Sequence, residues 1–388
     1  MEMITIFTPI YNRAYIVDKL YQSLINQTSY NFEWLIVDDG STDHIIELIA
    51  KWSKETQLFD IRFYQQQNGG KHRAINYGVK LAEYDAFFIV DSDDYLEEDA
   101  VDTILKYWNE IKTDDRIAGI SGLRRYDNGE VVGGVPRFRE FVDGTNLERS
   151  IWGLSGDKAE VYKTKLLRKY PFPEYSNEKF ITEAVVWNRI AYEGYKIRWI
   201  NKSFIICEYL SDGLTAKGKQ LFIDNPKGWA HYLCIEKEYG LTEKTTYLKN
   251  CYYYYECECM KFSDDEIMEM LNMSNEDAEM VINQHEEFIR RLTDLFKNKK
   301  ICIYAYGQWG KRIKKYMDYL GIEISYVIDR QYEKIEEINA YSIDMDLPYV
   351  DIILIALSSS AEYVLTTIKN KMLGTEVVLL RDIKPALW

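Results

Sequence analysis

Residues Phe87–Ala100 read FFIVDSDDYLEEDA. An apolar run meets Asp-Ser-Asp-Asp with no turn residue between, and Glu97, Glu98 and Asp99 follow at once. Carboxylates crowded at the mouth of a buried strand repel one another, so they either start a helix or hold something cationic. Acids in the first turn of a helix are favoured by its dipole, which accounts for Glu97, Glu98 and Asp99 ahead of AVDTILKYWNEI. It does not account for Asp91, which belongs to the strand, and Asp94 stands between the two readings. Asp91 and Asp93 form an Asp-x-Asp pair that splays two carboxylates beyond the strand end. Hard oxygen donors of this kind suit Mg2+ or Mn2+, bound through one or two carboxylates together with substrate phosphates.

Upstream of this strand, extended and helical signals alternate. ITIFTPI (4–10), EWLIVDD (33–39), IRFYQQ (61–66) and AFFIVD (86–91) read as strands. The helical stretches between them are AYIVDKLYQSLINQ (14–27), IIELIAKWSKE behind a cap offered by Ser41-Thr42-Asp43, and KHRAINYGVKLA (71–82). Strands joined by helix-length crossovers predict a parallel, doubly wound α/β sheet. In such sheets ligands bind beyond the carboxyl ends of the strands, and three clusters fall there: Thr8-Pro9, Asp38-Asp39 and Asp91-Ser92-Asp93. The helix that opens after Gly69-Gly70 offers an anion-attracting N-terminus, to which Lys71 and Arg73 add charge. His72 reads as a surface residue without a role.

Residues 117–215 are mixed, with a hairpin expected at Asp127-Asn128-Gly129 and a helix over 180–195 carrying Glu183 in its first turn. The stretch 225–297 is helical and amphipathic, with a cap ahead of NEDAEMVINQ. From 299 a second strand-helix alternation begins. Its YAYGQWGKR resembles G-x-G-x-x-G after a strand, with Ala305 in the first position, Gly307 and Gly310 retained, and Asp329 at the next strand end. A docking or regulatory module on this fold is expected there, in preference to a dinucleotide site.

The bulk numbers narrow the classes. A chain of 388 residues exceeds what one core usually serves. Forty-eight Lys and Arg against 62 Asp and Glu give a net charge of −14, which excludes a broad basic face for nucleic acid. The six Cys make no C-x-x-C pair and read as reduced thiols. MEMITIFTPIYNR has no signal-peptide character, and no apolar run approaches the ~20 residues of a membrane span. A cytoplasmic protein is expected.

Four motifs now stand in order: TPIYNR, EWLIVDDGSTD, NGGKHRAINYGVKLA and FFIVDSDD. Together they resemble the glycosyltransferase family 2 pattern on a GT-A fold, closely over residues 3–125 and more weakly to about 215. The resemblance implies that Thr8 and Pro9 line the nucleotide pocket, and that Asp39 contacts the base with Asp38 beside it. It implies that Gly70, Lys71, Arg73 and Asn76 face the diphosphate or the sugar. Asp91, followed by Ser92, would approach the ribose, and Asp93 would coordinate a Mn2+ or Mg2+ ion, with Asp91 a second candidate ligand. Family members place the base in an acidic pair before a helix; here that place holds Thr182-Glu183. Glu183 is therefore the candidate base, with Asp157 and Glu178 as alternatives and Asp157 also suited to orient an acceptor hydroxyl. YLSDGLT (209–215) stands where the family often has a loop closing over the donor.

The expected architecture is α/β throughout: a GT-A-type mixed sheet in 1–222, a helical segment in 223–298 and a small Rossmann-like domain in 299–388. The expected activity is metal-dependent, inverting transfer of a sugar from a nucleotide diphosphate, UDP before others, to a glycan or lipid-linked acceptor of bacterial surface polysaccharide. Association with the inner face of the membrane and a homodimer through 225–297 accompany that reading. Two rival classes are a catalytically degenerate scaffold, which the intact Asp91-x-Asp93 opposes, and a sugar nucleotidyltransferase. The latter needs a glycine-rich loop after the first strand, and TPIYNRAY has no glycine.

Overall fold

The computed structural model describes residues 2–388 apart from Tyr209, Ser211, 358–360 and Leu373, and it leaves aside the side chains of Thr215 and 361–363. Two compact units divide the chain, Met1–Glu243 and Lys244–Trp388. Among the described residues no helix is long and apolar enough to cross a membrane.

The first unit runs β1 (Ile4–Ile10), α1 (Asp18–Ile25), β2 (Phe32–Asp38), α2 (Ile45–Glu55), β3 (Asp60–Gln65), α3 (Lys71–Leu81) and β4 (Ala86–Ile89). It continues with β5 (Asp94–Leu96), α4 (Ala100–Ile111), β6 (Ile117–Tyr126), β7 (Phe141–Gly144), β8 (Lys158–Lys163), α5 (Thr164–Lys169) and α6 (Ala184–Tyr192). β9 (Lys196–Cys207), α7 (Gln220–Ile223) and α8 (Pro226–Glu238) complete it. The strands form one sheet in the order β3-β2-β1-β4-β8-β6-β9-β5, with β7 beside β9. β1 to β4 are parallel, as the alternation requires; β8 runs antiparallel to both β4 and β6. The sheet is therefore mixed, and the acidic end of β4 lies at the seam where its direction reverses.

β1 and β2 are buried at every position, because helices cover both faces. One face carries Ile4, Ile6, Trp34, Ile36 and Phe88 against α1, α2 and α4; the other carries Phe7, Leu35, Val37 and Phe87 against α3 and α6. Gly78 lets α3 lie close on the sheet, since a Cβ there would stand 2.1 Å from the Phe7 ring.

Several expectations meet corrections of detail. DYL of 94–96 is a short strand antiparallel to β9, and α4 starts only at Ala100. Of the expected Ser41-Thr42-Asp43 cap, Asp43 serves α2, which begins at Ile45 behind His44: its Oδ1 accepts from the Ile45 amide at 3.4 Å and its Oδ2 from the Ala14 amide at 2.8 Å. The 127–129 turn is present, with Gly129 at φ 89°, but the returning arm makes one isolated bridge, Arg125 to Val131. Glu183 precedes α6 at its N-cap position instead of lying in its first turn. α8 packs with α6 inside the first unit, so the compact body extends past the residue-222 boundary that the sequence suggests.

The second unit opens with α9 (Lys244–Glu258), α10 (Asp264–Met270) and α11 (Asn275–Phe296), the last capped by Ser274, whose Oγ accepts from the Asp277 amide at 3.2 Å. β10 (Ile301–Tyr304), α12 (Gln308–Tyr319), β11 (Ile324–Ile328), β12 (Ala340–Tyr341), β13 (Ile352–Ile355), α13 (Ala361–Lys371), β14 (Glu376–Leu379) and α14 (Leu380–Ile383) follow. The sheet is parallel throughout in the order β12-β11-β10-β13-β14. Phe288, Leu292 and Phe296 of α11 share one core with Ile301 and Ile303. The apolar stripe of α11 is thus spent within its own unit.

Candidate active site

The carboxyl ends of β1, β2 and β4 and the N-termini of α3 and α6 converge on one crevice. Lys71 opens α3 immediately after Gly70, whose φ of 97° suits glycine alone. A Cβ on Gly70 would stand 1.9 Å from the Lys179 carbonyl, so the turn passes tightly under the segment leading to α6. This directs Lys71 across the crevice. Its Nζ lies 2.6 Å from Asp91 Oδ1 and 2.7 Å from Glu183 Oε1. One ammonium thereby joins the strand-end acid to the candidate base, 92 positions apart by number (183 − 91).

The other acids of the mouth divide by partner. Asp94 is buried and paired to Arg124 Nη1 at 2.8 Å; burial nonetheless raises its carboxyl above the ordinary range. Burial also opposes ionisation of Asp91, but Lys71 and then Arg124 outweigh it and hold that carboxyl low. Glu97 pairs with Arg125 and Asp99 with Lys202, so these two act as cross-strand tethers as well as helix-start charges. Glu98 is exposed. Asp93 is different. Among the described residues it has no ion pair, and burial followed by the Asp91 charge pushes its carboxyl up.

No group of three or more His, Cys, Asp or Glu that could hold a metal ion occurs among the described residues. The donor set here is one uncompensated carboxylate, Asp93, beside an Asp91 already neutralised by Lys71. That set fits a Mg2+ or Mn2+ ion whose remaining ligands are substrate phosphates and water. It fits Asp93 as ligand better than Asp91.

Other expected site residues have partners that the resemblance did not anticipate. The Asp39 carboxylate accepts from the Gly69 amide at 2.8 Å, the Gly70 amide at 2.7 Å, Gln66 Nε2 at 2.7 Å and Asn68 Nδ2 at 3.1 Å. It moulds the loop that delivers Lys71. Asp38 is fully buried and holds Ser41 N and Gln65 Nε2. Thr8 departs furthest: its Oγ1 accepts from Trp34 Nε1 at 3.0 Å on the core side of the sheet, and Pro9 is buried beside it. Arg73 donates to the Tyr175 carbonyl at 2.5 Å, and Asn76 clamps Phe172 through both its amide atoms and reaches Glu174. These two pin the 172–175 segment and do not open into the crevice. Glu178 spends both oxygens on the Lys227 and Gly228 amides at 2.8 Å each, capping α8, which removes it as an alternative base. Asp157 is exposed, and Ser92 is buried between the two strand-end acids. His72 is buried, not at the surface, and burial lowers its imidazole to about 4.

Two features escaped the sequence reading. Arg13, within TPIYNR, pairs with Asp212 at 2.6 Å, and Tyr15 donates to the same carboxylate at 2.8 Å. The expected covering loop 209–215 is therefore tied to the end of β1 at Asp212, while Tyr209 and Ser211 lie outside the described residues. Glu160 of β8 is the second; its alternation with Ala159 and Val161 was the available signal.

In the second unit Ala305 adopts φ 69°, the left-handed conformation a glycine would take in that motif, and Gly310 passes 2.5 Å, as a Cβ, from its carbonyl. Asp329 receives the Tyr306 amide at 2.8 Å, so the acid of that motif holds its own loop.

Mixed sheet, reversed seam and acidic mouth are together those of a GT-A-type fold. Residues 5–167 match the family model for glycosyl transferase family 2. Residues 5–167 thus form a family 2 glycosyltransferase domain. The chain is 24% identical over 220 residues to the glycosyltransferase GlyG of Streptococcus pneumoniae, covering 53% of this chain and 70% of GlyG. It is 29% identical over 182 residues to the poly(ribitol-phosphate) beta-N-acetylglucosaminyltransferase TarS of Staphylococcus aureus, covering 45% of this chain but 30% of TarS. With the chondroitin synthase of Pasteurella multocida it shares 37% over 113 residues, 29% of this chain and 12% of that enzyme. Against the last two it thus spans less than a third of the relative. The crystal structure of TarS 1–349 in complex with UDP-GlcNAc superposes with a TM-score of 0.51 at 21% identity, over 74% of this chain and 81% of that one, a likeness of fold.

Proposed function

We propose that the chain transfers a sugar from a uridine diphosphate donor to a hydroxyl of a bacterial surface glycan or its lipid-linked precursor, with inversion at the anomeric carbon. The observation that carries this reading is the pairing of Glu183 and Asp91 through Lys71 beside an uncompensated Asp93. The relatives lend it support: TarS is named for transfer of N-acetylglucosamine to a polymer and has been crystallised with UDP-GlcNAc.

Asp93 would hold Mn2+ or Mg2+, which when bound supplies positive charge against the leaving diphosphate. The acceptor oxygen attacks the anomeric carbon as the bond from that carbon to the diphosphate oxygen breaks. Glu183 takes the hydroxyl proton, and UDP leaves with the bonding electron pair. Lys71 holds Glu183 in place before substrate arrives, and its charge is within reach of the diphosphate. Asp39 acts by shaping the 66–70 loop.

Titration calorimetry with UDP tests this directly. UDP should bind in the presence of Mn2+ and lose that metal dependence in Asp93→Ala. Absence of metal-dependent binding, or identical binding in the variant, rejects the reading.

A further inference from the structure

Glu160 is a half-buried carboxylate of β8 that neither the fold nor the chemistry above employs. β8 alternates: Ala159 and Val161 point to the core around Phe88, while Lys158, Glu160 and Tyr162 point to the opposite face. On that face the Tyr162 ring stacks on Trp187 of α6 with 4.3 Å between centroids. Tyr162 lies opposite Phe87 and Val161 opposite Phe88 across the antiparallel pair. Carried one step further, the register sets Glu160 level with Ile89, two residues before Asp91. Trp187 lies one turn inside α6 and Glu183 at its start, so Glu160 stands one strand repeat nearer the crevice than the ring that Trp187 covers. The register thus puts Glu160 on the face that carries α6, toward the acidic end of β4.

Its surroundings agree with that place. Among the described residues Glu160 takes no hydrogen bond and no ion pair; the charges acting on it are Arg149 and Arg124, then Glu183 and Asp157. Arg124 is the cation that also reaches Asp91 and Asp94, so Glu160 feels both walls of the crevice. Burial lifts its carboxyl to about 7, which lets it donate as well as accept near neutrality. Glu160 is half-buried, and with no donor among the described residues its carboxylate is free to take one from a ligand. Lys158, next along the same face, is fully served by the carbonyls of Val132 and Ser155 at 3.1 and 2.6 Å, so the unserved group is the one facing the crevice.

In a direct displacement the anomeric carbon lies between the leaving diphosphate and the attacking hydroxyl. The diphosphate side here is Asp91 and Asp93, and the hydroxyl side is Glu183. We infer that Glu160 is a specificity residue for the transferred sugar, hydrogen-bonding a hydroxyl or amide substituent of its ring. This rests on the transfer reaction proposed above and adds the group that reads the sugar.

The test separates nucleotide from sugar. UDP, UDP-GlcNAc, UDP-glucose and UDP-galactose are titrated into wild type, Glu160→Gln and Glu160→Ala with saturating Mn2+, alongside thermal midpoints. The wild type should bind at least one of the sugars more tightly than UDP. In Glu160→Ala that preference should fall about tenfold, equivalent to ~1.4 kcal/mol, with UDP affinity unchanged; Glu160→Gln should retain part of it. An unchanged preference in both variants overturns the inference, as does an equal loss of UDP affinity or unfolding of the isosteric Gln variant, either of which makes Glu160 structural. If the wild type binds no UDP at all, the transfer reading itself fails, a result distinguishable from failure of Glu160 alone.

Discussion

Replacing Asp39 by Ala separates two accounts of a residue that both the motif and the structure single out. If Asp39 serves the nucleotide base alone, its removal lowers affinity and leaves the ligand-free protein as stable as before. The geometry assigns it a second duty. Its carboxylate receives two backbone amides, Gly69 and Gly70, and two side-chain amides, Gln66 and Asn68. Asp39 is itself buried. In Asp39→Ala the side-chain amides can turn to water, but the glycine amides are fixed by the turn that Gly70 makes at φ 97°. Each stranded donor costs about 1–3 kcal/mol, so roughly 3–5 kcal/mol is lost from the first unit. At about 2–4 °C per kcal/mol for a domain of this size, its unfolding midpoint should fall by roughly 10 °C. Asp39→Asn keeps one acceptor oxygen and turns an amide group toward a backbone N–H, so it should fall in between. Calorimetric unfolding without ligand, with UDP titration on the same samples, is the assay. A ligand-free midpoint within about 2 °C of wild type, together with lost UDP binding, refutes the loop-moulding account.

Three further substitutions address other positions. Glu178→Ala frees the Lys227 and Gly228 amides that open α8 and should cost about 2–3 kcal/mol by the loss of two charge-assisted bonds, with turnover per folded molecule retained; abolished turnover at unchanged stability would contradict its capping role. Ala305→Gly relieves a left-handed conformation at φ 69°, worth about 1–2 kcal/mol against roughly 0.4–1 kcal/mol of added chain entropy, so the unfolding midpoint of the second unit should rise slightly; a lower midpoint counts against it. His72 is buried with its imidazole lowered to about 4 from 6.5. The unfolded chain binds that proton more readily, so this contribution is complete above pH 6.5 and is lost as pH falls toward 4, about 3 kcal/mol in all. His72→Met should flatten the difference in stability between pH 7 and pH 4, measured by urea unfolding; an unchanged difference would show that His72 is not the group that titrates.

The four strands with their helical crossovers and the crevice were readable because the signals are local. Two apolar runs stop on carboxylates, EWLIVDD and AFFIVD, and four strands with helix-length connections leave few topologies. Which way a side chain points on a doubly covered strand is not local. β1 is buried at all seven positions, so alternation gives no parity, and only Trp34, on the neighbouring strand, reveals that Thr8 faces the core. The same holds for acids whose partners are remote in sequence. Nothing around Glu178 announces that its donors are the amides at 227 and 228, and nothing in VDDGS shows that Asp39 reaches across to 69 and 70. Glu160 was open to reading: KAEVYK alternates charged and small or apolar residues, and a charged residue on the covered face of a strand asks what it serves.

The acidic mouth also explains why this crevice stays open to a substrate. Six acids fall between 91 and 99, and folding disposes of most of them internally: Asp91 to Lys71, Asp94 to Arg124, Glu97 to Arg125, Asp99 to Lys202, with Glu98 left in water. Had Asp93 also found a cation on the protein, the mouth would be electrically complete and a diphosphate would meet no unsatisfied partner beyond Lys71. Because Asp93 is left half-buried and repelled by Asp91, the site carries local negative charge that a divalent cation can relieve. A cation drawn to one carboxylate remains under-coordinated, and a diphosphate supplies the missing oxygens. On the transfer reading proposed above, metal and donor would favour each other's binding, since each would complete what the other lacks. On that reading one acid of FFIVDSDDYLEEDA, Asp93, and not the cluster, would carry the coupling.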